Sequence, residues 1–436
     1  MALFENRIFL KGSSLRLCVG TLVNTAFARA YHKPLVYYKT FNRRFLLLGV
    51  FFITIKKEKK GNFMEALFKN LLELDGGLFA KQLVMWVIGG VLIFLAIRKK
   101  MEPTLLLPMG FGAILMNLPN NSGTAGVSEI LETLYNAGIS NELFPLILFI
   151  GIGAMIDFGP ILSNPKLMIF GAAAQFGIFM TLSLASLVGF DFKEAASIAI
   201  IGAADGPTSI VVATQLAPHL LGPITVAAYS YMALVPVVQP PFIKLCTTKK
   251  ERRIRMPYNP ASVSKFTRII FPILVTIITG MLAPGAVALV GFLMFGNLIR
   301  ECGVLESLSE TAQKILANLV TLFLGITVAF TMKAEEFVTV GTVIILGLGL
   351  VAFIFDTIGG IMIAKLMNLF LPEGKKINPM VGAAGISAFP MSARIVNKIG
   401  LEEDNQNFLL VHSIGANVSG QIGSVIAGGL ILNFFL

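Results

Sequence analysis

Charged residues are scarce in this chain, and their scarcity limits the fold class first. Asp, Glu, Lys and Arg make up 14% of the 436 residues, whereas apolar residues make up 55% and the mean hydropathy is +0.80. A typical soluble domain carries about 25% charged residues, because its surface must interact with water. The composition therefore excludes a soluble globular protein and predicts an integral membrane protein.

Residue types and motifs that often carry chemistry are also few. The three cysteines, Cys18, Cys246 and Cys302, have neither metal-ligand nor redox spacing, and His412 has no second His or Cys at ligand spacing. No glycine loop of the G-x-x-x-x-G-K type occurs, so the sequence does not predict ATP as an energy source.

The net charge of +11 suggests nucleic-acid binding until its position is considered. Residues 1–63 contain twelve of the 35 Lys and Arg residues but only two of the 24 Asp and Glu residues. The basic surplus therefore belongs to this leader, and no nucleic-acid partner is expected. The apolar core of the leader, residues 45–55, is too short to span a bilayer.

Apolar runs with the length of membrane helices recur along the rest of the chain. A β-barrel would show short alternating segments instead, so the sequence predicts an all-α polytopic fold. About ten transmembrane helices are predicted, near residues 83–97, 104–118, 143–162, 167–190, 219–243, 268–283, 284–299, 315–331, 338–370 and 406–436.

Two further stretches are apolar but crowded with Gly, Pro and Ser. Residues 194–217 and 378–393 suit re-entrant hairpins, because broken backbone at membrane depth is tolerated only where protein or a water-filled cavity satisfies it. The basic loops fall on one side of the ten crossings, which makes that side cytoplasmic. The first hairpin then enters from outside and the second from the cytoplasm.

Short matches within the chain indicate an internal repeat. LFIGI at residues 148–152 resembles LFLGI at 322–326, and GAADGPTS at Gly202 begins like GAAGISAFPMSAR at Gly382. An odd number of crossings separates the first pair, which inverts the second copy. The predicted organisation is a leader at 1–63 and a transmembrane domain at 64–436, with repeat one at about 143–299 and repeat two at about 315–436.

The first hairpin contains the clearest candidate for chemistry, Asp205. An ionised side chain near the centre of a membrane helix costs at least about 2.5 kcal/mol. Gly206 and Pro207 free backbone carbonyls beside it, and Thr208 and Ser209 add hydroxyls. These hard oxygen ligands suit a small cation such as Na⁺. The alternative is an Asp that merely caps a helix at a turn.

The second hairpin supplies Asn378, Ser387, Ser392 and Arg394. A lone arginine offers five donors in a planar fork, which suits a carboxylate ligand. Alternatively, Arg394 extends its charge to the cytoplasmic interface.

Tyrosines and weaker candidates complete the set of polar groups. Tyr229 and Tyr231 lie in AAYSYMALVPVVQPP, where three prolines predict a broken helix and a phenol is either functional or an interfacial aromatic. Asp157 and Asp356 are acids within apolar runs that suggest pairing or a proton path. Asn417 adds a neutral oxygen in the last span, whose glycines also fit close helix packing.

The motifs GAADGPTSI, AYSYMALVPVVQPP, KKERRIRM and GAAGISAFPMSARIVNK together resemble the beta subunit of the biotin-dependent, sodium-translocating decarboxylases. That family acts on oxaloacetate, methylmalonyl-CoA or glutaconyl-CoA, and the resemblance covers residues 64–436. It implies a pump of the bacterial cytoplasmic membrane that couples decarboxylation of carboxybiotin to Na⁺ export with uptake of an external proton. It also implies a homotrimer whose core moves against a scaffold, as in elevator transporters.

The resemblance assigns roles by motif position. Asp205 matches a sodium-binding aspartate and is the implied metal ligand. Tyr231 matches a tyrosine that takes part in sodium binding and proton delivery. Arg394 matches a residue that holds carboxybiotin. The other implied sodium ligands are Asn378, Gly382, Ser387 and Asn417. The implied catalytic residues are Tyr231, Ser387 and Arg394, and the implied substrate-binding residues are Arg394 and Asn378.

The implied cofactors are Na⁺ and biotin, with the biotin carried by a partner. TMKAEE at Thr331 only partly matches the Met-Lys-Met pattern of biotin carriers. The implied partners are a biotin-carrier subunit, a carboxyltransferase alpha subunit and a small membrane gamma or delta subunit. Two other functions remain open on the residues alone, a secondary Na⁺/carboxylate symporter or exchanger and a membrane scaffold.

The leader is expected to be non-native or disordered. Met64 opens MEALFKNLLELDGG, in which apolar residues at helical spacing precede a Gly pair, so we expect the natural chain to begin at Met64. N-terminal sequencing of the mature protein should recover no peptide from residues 1–63, and recovery of such a peptide would contradict this expectation.

Overall fold

The computed structural model describes residues 76–100, 102–118, 126–256 and 263–435. The chain divides into a unit at Met1–Glu73 and a unit at Leu74–Leu436, and all described residues belong to the second unit. The predicted leader lies outside the described residues. Helices account for all regular secondary structure in the described part of the chain, which confirms the all-α class.

The α-helices are, in chain order, α1 (Gly76–Arg98), α2 (Pro103–Met116), α3 (Val127–Gly138), α4 (Leu143–Met155), α5 (Gly159–Ser163), α6 (Met168–Ala174), α7 (Phe176–Val188), α8 (Phe192–Ala199), α9 (Gly206–Leu216), α10 (Leu221–Cys246), α11 (Lys249–Arg252), α12 (Lys265–Leu282), α13 (Val287–Glu301), α14 (Glu306–Glu310), α15 (Ala317–Val328), α16 (Ala334–Phe337), α17 (Val340–Phe370), α18 (Met380–Ala383), α19 (Met391–Glu403) and α20 (Leu410–Phe435). Short 3₁₀ turns lie at Pro165–Leu167, Ile200–Ala203, Pro218–Leu220, Pro284–Ala286 and Ala329–Thr331, and a π-helical stretch lies at Thr311–Leu316.

Several of these helices have the length and composition of membrane spans. Seven helical segments of the described residues qualify, and the pair α3 and α4, bent by 60°, would make an eighth. This confirms a polytopic membrane protein, whereas the total of ten crossings stays a prediction. The predicted span at 338–370 is one helix, α17, of 31 residues. At 1.5 Å per residue it is about 46 Å long, more than the about 30 Å of a bilayer's hydrocarbon core.

Both predicted hairpins contain an interrupted helix. In the first, α8 passes through a 3₁₀ turn to Ala204, whose φ of 52° is left-handed, before α9 starts. In the second, the chain leaves α18 and remains non-helical until α19. We name residues 200–205 the first interruption and residues 384–390 the second interruption. Their re-entrant arrangement stays a prediction.

A third interruption lies at Gln175, inside the predicted span at 167–190. The helical segment Pro165–Val188 is divided there into α6 and α7. No proline or glycine occupies this position, so the sequence offered no breaker to predict it.

Three prolines do not break α10, and the predicted interruption there is wrong. Pro236, Pro240 and Pro241 lie within one continuous helix. Each proline removes a backbone donor and crowds the carbonyl four residues earlier. Gln239, fully buried among them, donates to the Ala383 carbonyl at 2.7 Å and so attaches α10 to the second predicted hairpin.

The order of elements is similar in the two halves. In α3–α10, a bent pair of helices is followed by a long span, an interrupted helix and a final long span. In α14–α20, a distorted pair is followed by the same three elements in the same order. This order supports an internal repeat. The repeat boundaries and the inversion stay predictions.

Ion pairs join residues 252–255, at and after the end of α11, to the end of α19. Arg252, 6% exposed, donates from Nε to Glu403 at 2.7 Å, and Arg255 makes two bonds of 2.6 and 3.0 Å to Asp404. The Asn378 amide donates to the backbone carbonyl of Arg252 at 2.9 Å. The basic loop predicted to be cytoplasmic is therefore attached to the end of α19 and to the start of the second predicted hairpin.

These ion pairs predict a pH-dependent contribution to stability. The hydrogen bond from Arg252 lowers the pKa of Glu403, and the bond from Arg255 lowers that of Asp404. Because folding favours the charged carboxylates, their stabilisation is present above the unfolded pKa values of about 4.3 and 3.9 and is lost as pH falls through the lower folded values. The Tm of wild type should exceed that of Glu403→Gln at pH 7, and the difference should shrink below about pH 4.

A matched control is Glu402→Gln, because Glu402 is half-exposed and forms only a long, exposed ion pair with Lys244, with 3.8 Å between the charged atoms. Its Tm difference from wild type should be small at both pH values. A Glu403→Gln difference that stays constant as pH falls would contradict the assigned ion pair.

Candidate functional site

Asp205 is the buried carboxylate of the first interruption. It is 2% exposed and occupies the N-cap position of α9. Its Oδ2 accepts hydrogen bonds from Thr208 Oγ1 at 2.6 Å and Ser424 Oγ at 3.3 Å. The Asp205 side chain makes no hydrogen bond that caps the backbone of α9. A helix-capping role therefore does not account for this carboxylate, and it does not account for the partner Ser424 on α20.

Tyr229, rather than Tyr231, lies against this turn. The ring of Tyr229 fills the space that a side chain at Gly206 would need, and its buried hydroxyl has no hydrogen-bond partner among the described residues. The hydroxyl of Tyr231 donates to the Leu346 carbonyl, and its ring packs against Gly349 on α17. No hydrogen bond in the described part of the chain joins Tyr231 to the Asp205 carboxylate.

The second interruption contacts the same helix, α20. Ser387 Oγ, 2% exposed, donates to the Gly420 carbonyl at 2.9 Å. The amide nitrogen of Asn417 donates to the Ile386 carbonyl. The Asn417 carbonyl oxygen is buried and has no partner among the described residues, so it can accept a further donor or bind a cation.

The third interruption also reaches α20. Gln175 donates from Nε2 to the Gly171 carbonyl at 3.0 Å, and this nitrogen lies 3.2 Å from the position of a Cβ at Gly423. Its carbonyl oxygen is buried and unpaired in the described residues. Asp205, Ser387 and Gln175 therefore all contact one short segment, residues 420–424 of α20.

The segment 420–424 and its neighbours offer an oxygen-rich environment with little charge. No group of three or more His, Cys, Asp or Glu side chains that could hold a metal ion occurs in the described ranges. The donors present are one carboxylate, hydroxyls and amide carbonyls, which are the ligand types that hard cations prefer. The chemistry of the site therefore suits Na⁺ better than a transition metal.

The structure does not bring every predicted site residue to Asp205. Asn378 is fully buried, and its side chain is bound to the backbone of the basic loop and of Met380. Gly382 packs against Gly360 of α17 so closely that neither position has room for a Cβ. These two residues organise the second predicted hairpin and the loop beside it.

Arg394 is exposed on α19, and its guanidinium makes no hydrogen bond or ion pair with any described residue. One turn further along the same helix, Lys398 is exposed as well. On the buried side of α19, Ser392 donates to the Ala383 carbonyl at 3.2 Å. The Arg394 fork is therefore free for a ligand that arrives from outside the chain, and equally free to reach a membrane interface.

A cavity of about 520 Å³ lies beside the second predicted hairpin. Its lining combines basic side chains with an apolar floor: Lys166, Lys375, Lys376, His412, Leu167, Phe170, Met256 and Met367 are among the lining residues. The backbone of Phe170 packs directly against Gly385 of the second interruption. The cavity is therefore one residue layer away from the backbone that carries Ser387.

Sequence reasoning missed Ser424 and Gln175 as site residues, and it did not separate Tyr229 from Tyr231. Signals for the first two were present. Ser424 follows Asn417 and Gln421 at helical spacing on one face of α20, and Gln175 is a lone amide within an apolar run. The choice between the tyrosines depends on the rotation of α10, which the sequence does not specify.

The chain is similar in sequence to known proteins over most of its length. The family model described as the Na⁺-transporting oxaloacetate decarboxylase beta subunit matches residues 81–435. The methylmalonyl-CoA decarboxylase subunit beta of Veillonella parvula is 50% identical over 349 residues, 80% of this chain and 92% of the relative. The glutaconyl-CoA decarboxylase subunit beta of Acidaminococcus fermentans is 49% identical over 351 residues, again 80% and 92% of the two chains.

The oxaloacetate decarboxylase beta chain of Klebsiella pneumoniae is 44% identical over 418 residues, 82% of this chain and 96% of that one. These similarities extend over most of both chains, and the residues that the family model matches include the three interruptions. Together with the apolar spans, they identify a multi-pass cell-membrane protein. The chain belongs to the family of Na⁺-transporting decarboxylase beta subunits, the membrane subunits in which decarboxylation is coupled to sodium translocation.

Proposed function

We propose that this chain decarboxylates carboxybiotin supplied by a partner and uses the reaction to export Na⁺ while it takes up one external proton. The observation that carries this proposal is the buried Asp205, joined to the same segment of α20 that Ser387 contacts. A cation at Asp205 and a carboxylated ligand near the second interruption would share that segment. Each can then influence the binding of the other.

The proposed sodium site is centred on Asp205. Ser387 and Asn417, together with the hydroxyls beside Asp205, supply neutral oxygens. Tyr231, Asn378 and Gly382 keep the roles implied by family resemblance, and their contacts in the fold support indirect action through α17 and the basic loop. A single carboxylate neutralises one Na⁺, which limits the charge that must cross the apolar layer.

The proposed carboxybiotin site lies at the cytoplasmic end. Arg394 holds the carboxylate through its planar fork, Asn378 fixes the neighbouring loop, and the basic lining of the cavity attracts an anion. Breaking the C–N bond of N-carboxybiotin releases CO₂ and leaves the electron pair on the ring nitrogen, which takes one proton. Tyr231 and Ser387 are proposed to help deliver that proton.

Moving one charge against 100 mV costs about 2.3 kcal/mol, so Na⁺ export requires an energy source. The named relatives are subunits of decarboxylases, which supports decarboxylation as that source and disfavours a secondary symporter or exchanger. A scaffold without transport is disfavoured for the same reason.

The proposed partners follow from the family. A biotin-carrier subunit, a carboxyltransferase alpha subunit and a small gamma or delta subunit complete the enzyme, and the proposed state of this chain is a homotrimer with an elevator-type motion. The relatives are named for three different acids. We therefore assign the choice of acid to the carboxyltransferase rather than to this chain.

The sodium site is tested by Asp205→Asn in the complete complex reconstituted into vesicles. Loss of the charged ligand should raise the Na⁺ concentration that half-saturates decarboxylation by about tenfold to a hundredfold, since hydrogen bonds and ligand contacts to a charged group contribute about 1.5–3 kcal/mol. A matched control is Asp191→Asn at the exposed N-cap of α8, where Asn also caps. Unchanged sodium dependence in Asp205→Asn would refute the site.

The carboxybiotin site is tested by Arg394→Ala, with Lys398→Ala as control. Both residues are exposed on α19, one turn apart, and both changes remove one positive charge. If Arg394 holds the carboxylate, its loss should lower kcat/KM for the carboxylated carrier by about tenfold or more, whereas the Lys398 change should have little effect. Equal effects of the two variants would indicate a general electrostatic contribution and would contradict specific binding.

A further inference from the structure

A second carboxyl group, Asp356, lies deep in the fold with an incomplete set of partners. It is fully buried at the seventeenth of the 31 positions of α17. At 1.5 Å per residue it is about 21 Å or more from either end of the helix. Both distances are shorter than the about 30 Å hydrocarbon thickness, so an apolar layer spanned by α17 includes this carboxyl wherever the layer lies along the helix.

The two oxygens of Asp356 have different surroundings. Oδ1 accepts a hydrogen bond of 2.7 Å from the backbone nitrogen of Gly177, just after the third interruption. Oδ2 is buried without a partner among the described residues and lies 3.1 Å from the position of a Cβ at Gly202. The carboxyl group therefore lies between the third interruption and the first, and Gly202 is three residues before Asp205.

No cation neutralises Asp356 in the described part of the chain. The elements packed against α17 are α6, α7, α8, α10, α18 and residues 200–203. Of these, α8 contributes Lys193 and Glu194 in its first turn, and α10 contributes Tyr229, Tyr231, Lys244 and, at its end, Cys246; the others contain no titratable side chain. No ion pair with Asp356 is formed by the described residues.

An ionised carboxylate with one donor is expensive in an apolar environment, and such groups take up a proton or a cation instead. A sodium ion requires several oxygen ligands, whereas the space beside Gly202 that Oδ2 borders is otherwise lined by the backbone nitrogen of Ile178 and the Ala352 methyl group. A proton requires only one lone pair. The geometry therefore favours a proton on Oδ2 over a second sodium ion.

We propose that Asp356 is a proton-binding site of the transport cycle, distinct from the sodium site at Asp205. This inference rests on the proposed function. Oδ2 takes up one proton to form the neutral acid and later releases it to the ring nitrogen that is left when carboxybiotin loses CO₂. One turn after Asp356, Gly360 packs against Gly382 of the second predicted hairpin, so α17 connects the carboxyl to both predicted hairpins.

The site is tested by Asp356→Asn in the complete decarboxylase complex in vesicles. Asn keeps an oxygen that accepts from Gly177 and resembles the protonated acid, so a purely structural aspartate would tolerate the change. We expect Na⁺-dependent thermal stabilisation to remain, whereas decarboxylation, Na⁺ uptake and proton consumption fall to background. Thr357→Ser, on the same helix, is the matched control and should behave as wild type.

A wild-type rate and a wild-type ratio of protons to Na⁺ in Asp356→Asn would overturn the proposal. If that variant does not fold, infrared spectra of the wild-type complex with isotope-labelled Asp, and of Asp356→Glu, decide the question. Addition of Na⁺ or carboxylated carrier should change a protonated-carboxyl band that shifts in the Glu variant, and the absence of any such band would overturn the proposal. Failure of the wild-type complex to pump would instead refute the proposed function.

Discussion

Interrupted backbone inside an apolar layer must find its hydrogen-bond partners within the protein, and this constraint shapes the whole fold. Three helical segments are interrupted, at Gln175, at residues 200–205 and at residues 384–390, and all three contact α20. Helix α20 is suited to this role because small and polar residues share its surface. Asn417 of α20 satisfies the Ile386 carbonyl of the second interruption and, with its own free carbonyl oxygen, contributes to the candidate sodium site.

The distribution of charge follows from the same constraint. Strong ion pairs, such as Arg252 with Glu403, lie at the end of the fold with the basic loop, where water and salt are near. Within the spans, Asp205 has neutral partners and Asp356 has one backbone donor. A carboxyl with neutral partners can gain and lose a small cation or proton, whereas a carboxyl in a permanent ion pair is committed to that partner.

The sequence predicted the class and the site more reliably than the geometry. Apolar runs indicated the spans, and the polar residues of GAADGPTS drew attention to Asp205, which is indeed buried beside hydroxyls. Proline was misleading in α10, because Pro236, Pro240 and Pro241 lie within one continuous helix that local propensity does not favour. Gln175 and Ser424 stand out locally as polar residues in apolar segments, but the distant segments that they contact are not encoded locally.

The family resemblance specified roles that the residues alone left open, and the fold distinguishes among them. Asp205 and Ser387 both contact α20, the helix that contains Asn417. In contrast, Asn378 secures the basic loop, and the Arg394 guanidinium is free at the surface. The coupling of decarboxylation to transport therefore requires communication between a buried cation site and a surface arginine, through the second interruption and α19.

The glycine contacts at this centre restrict how the family can vary. Gly382 meets Gly360, and Gly420 meets Gly385, with main chain touching main chain in both places. Even a methyl group would separate the segments that they join, so a substitution there has no conservative option. A side chain at any of these positions would require a compensating change in the path of the backbone.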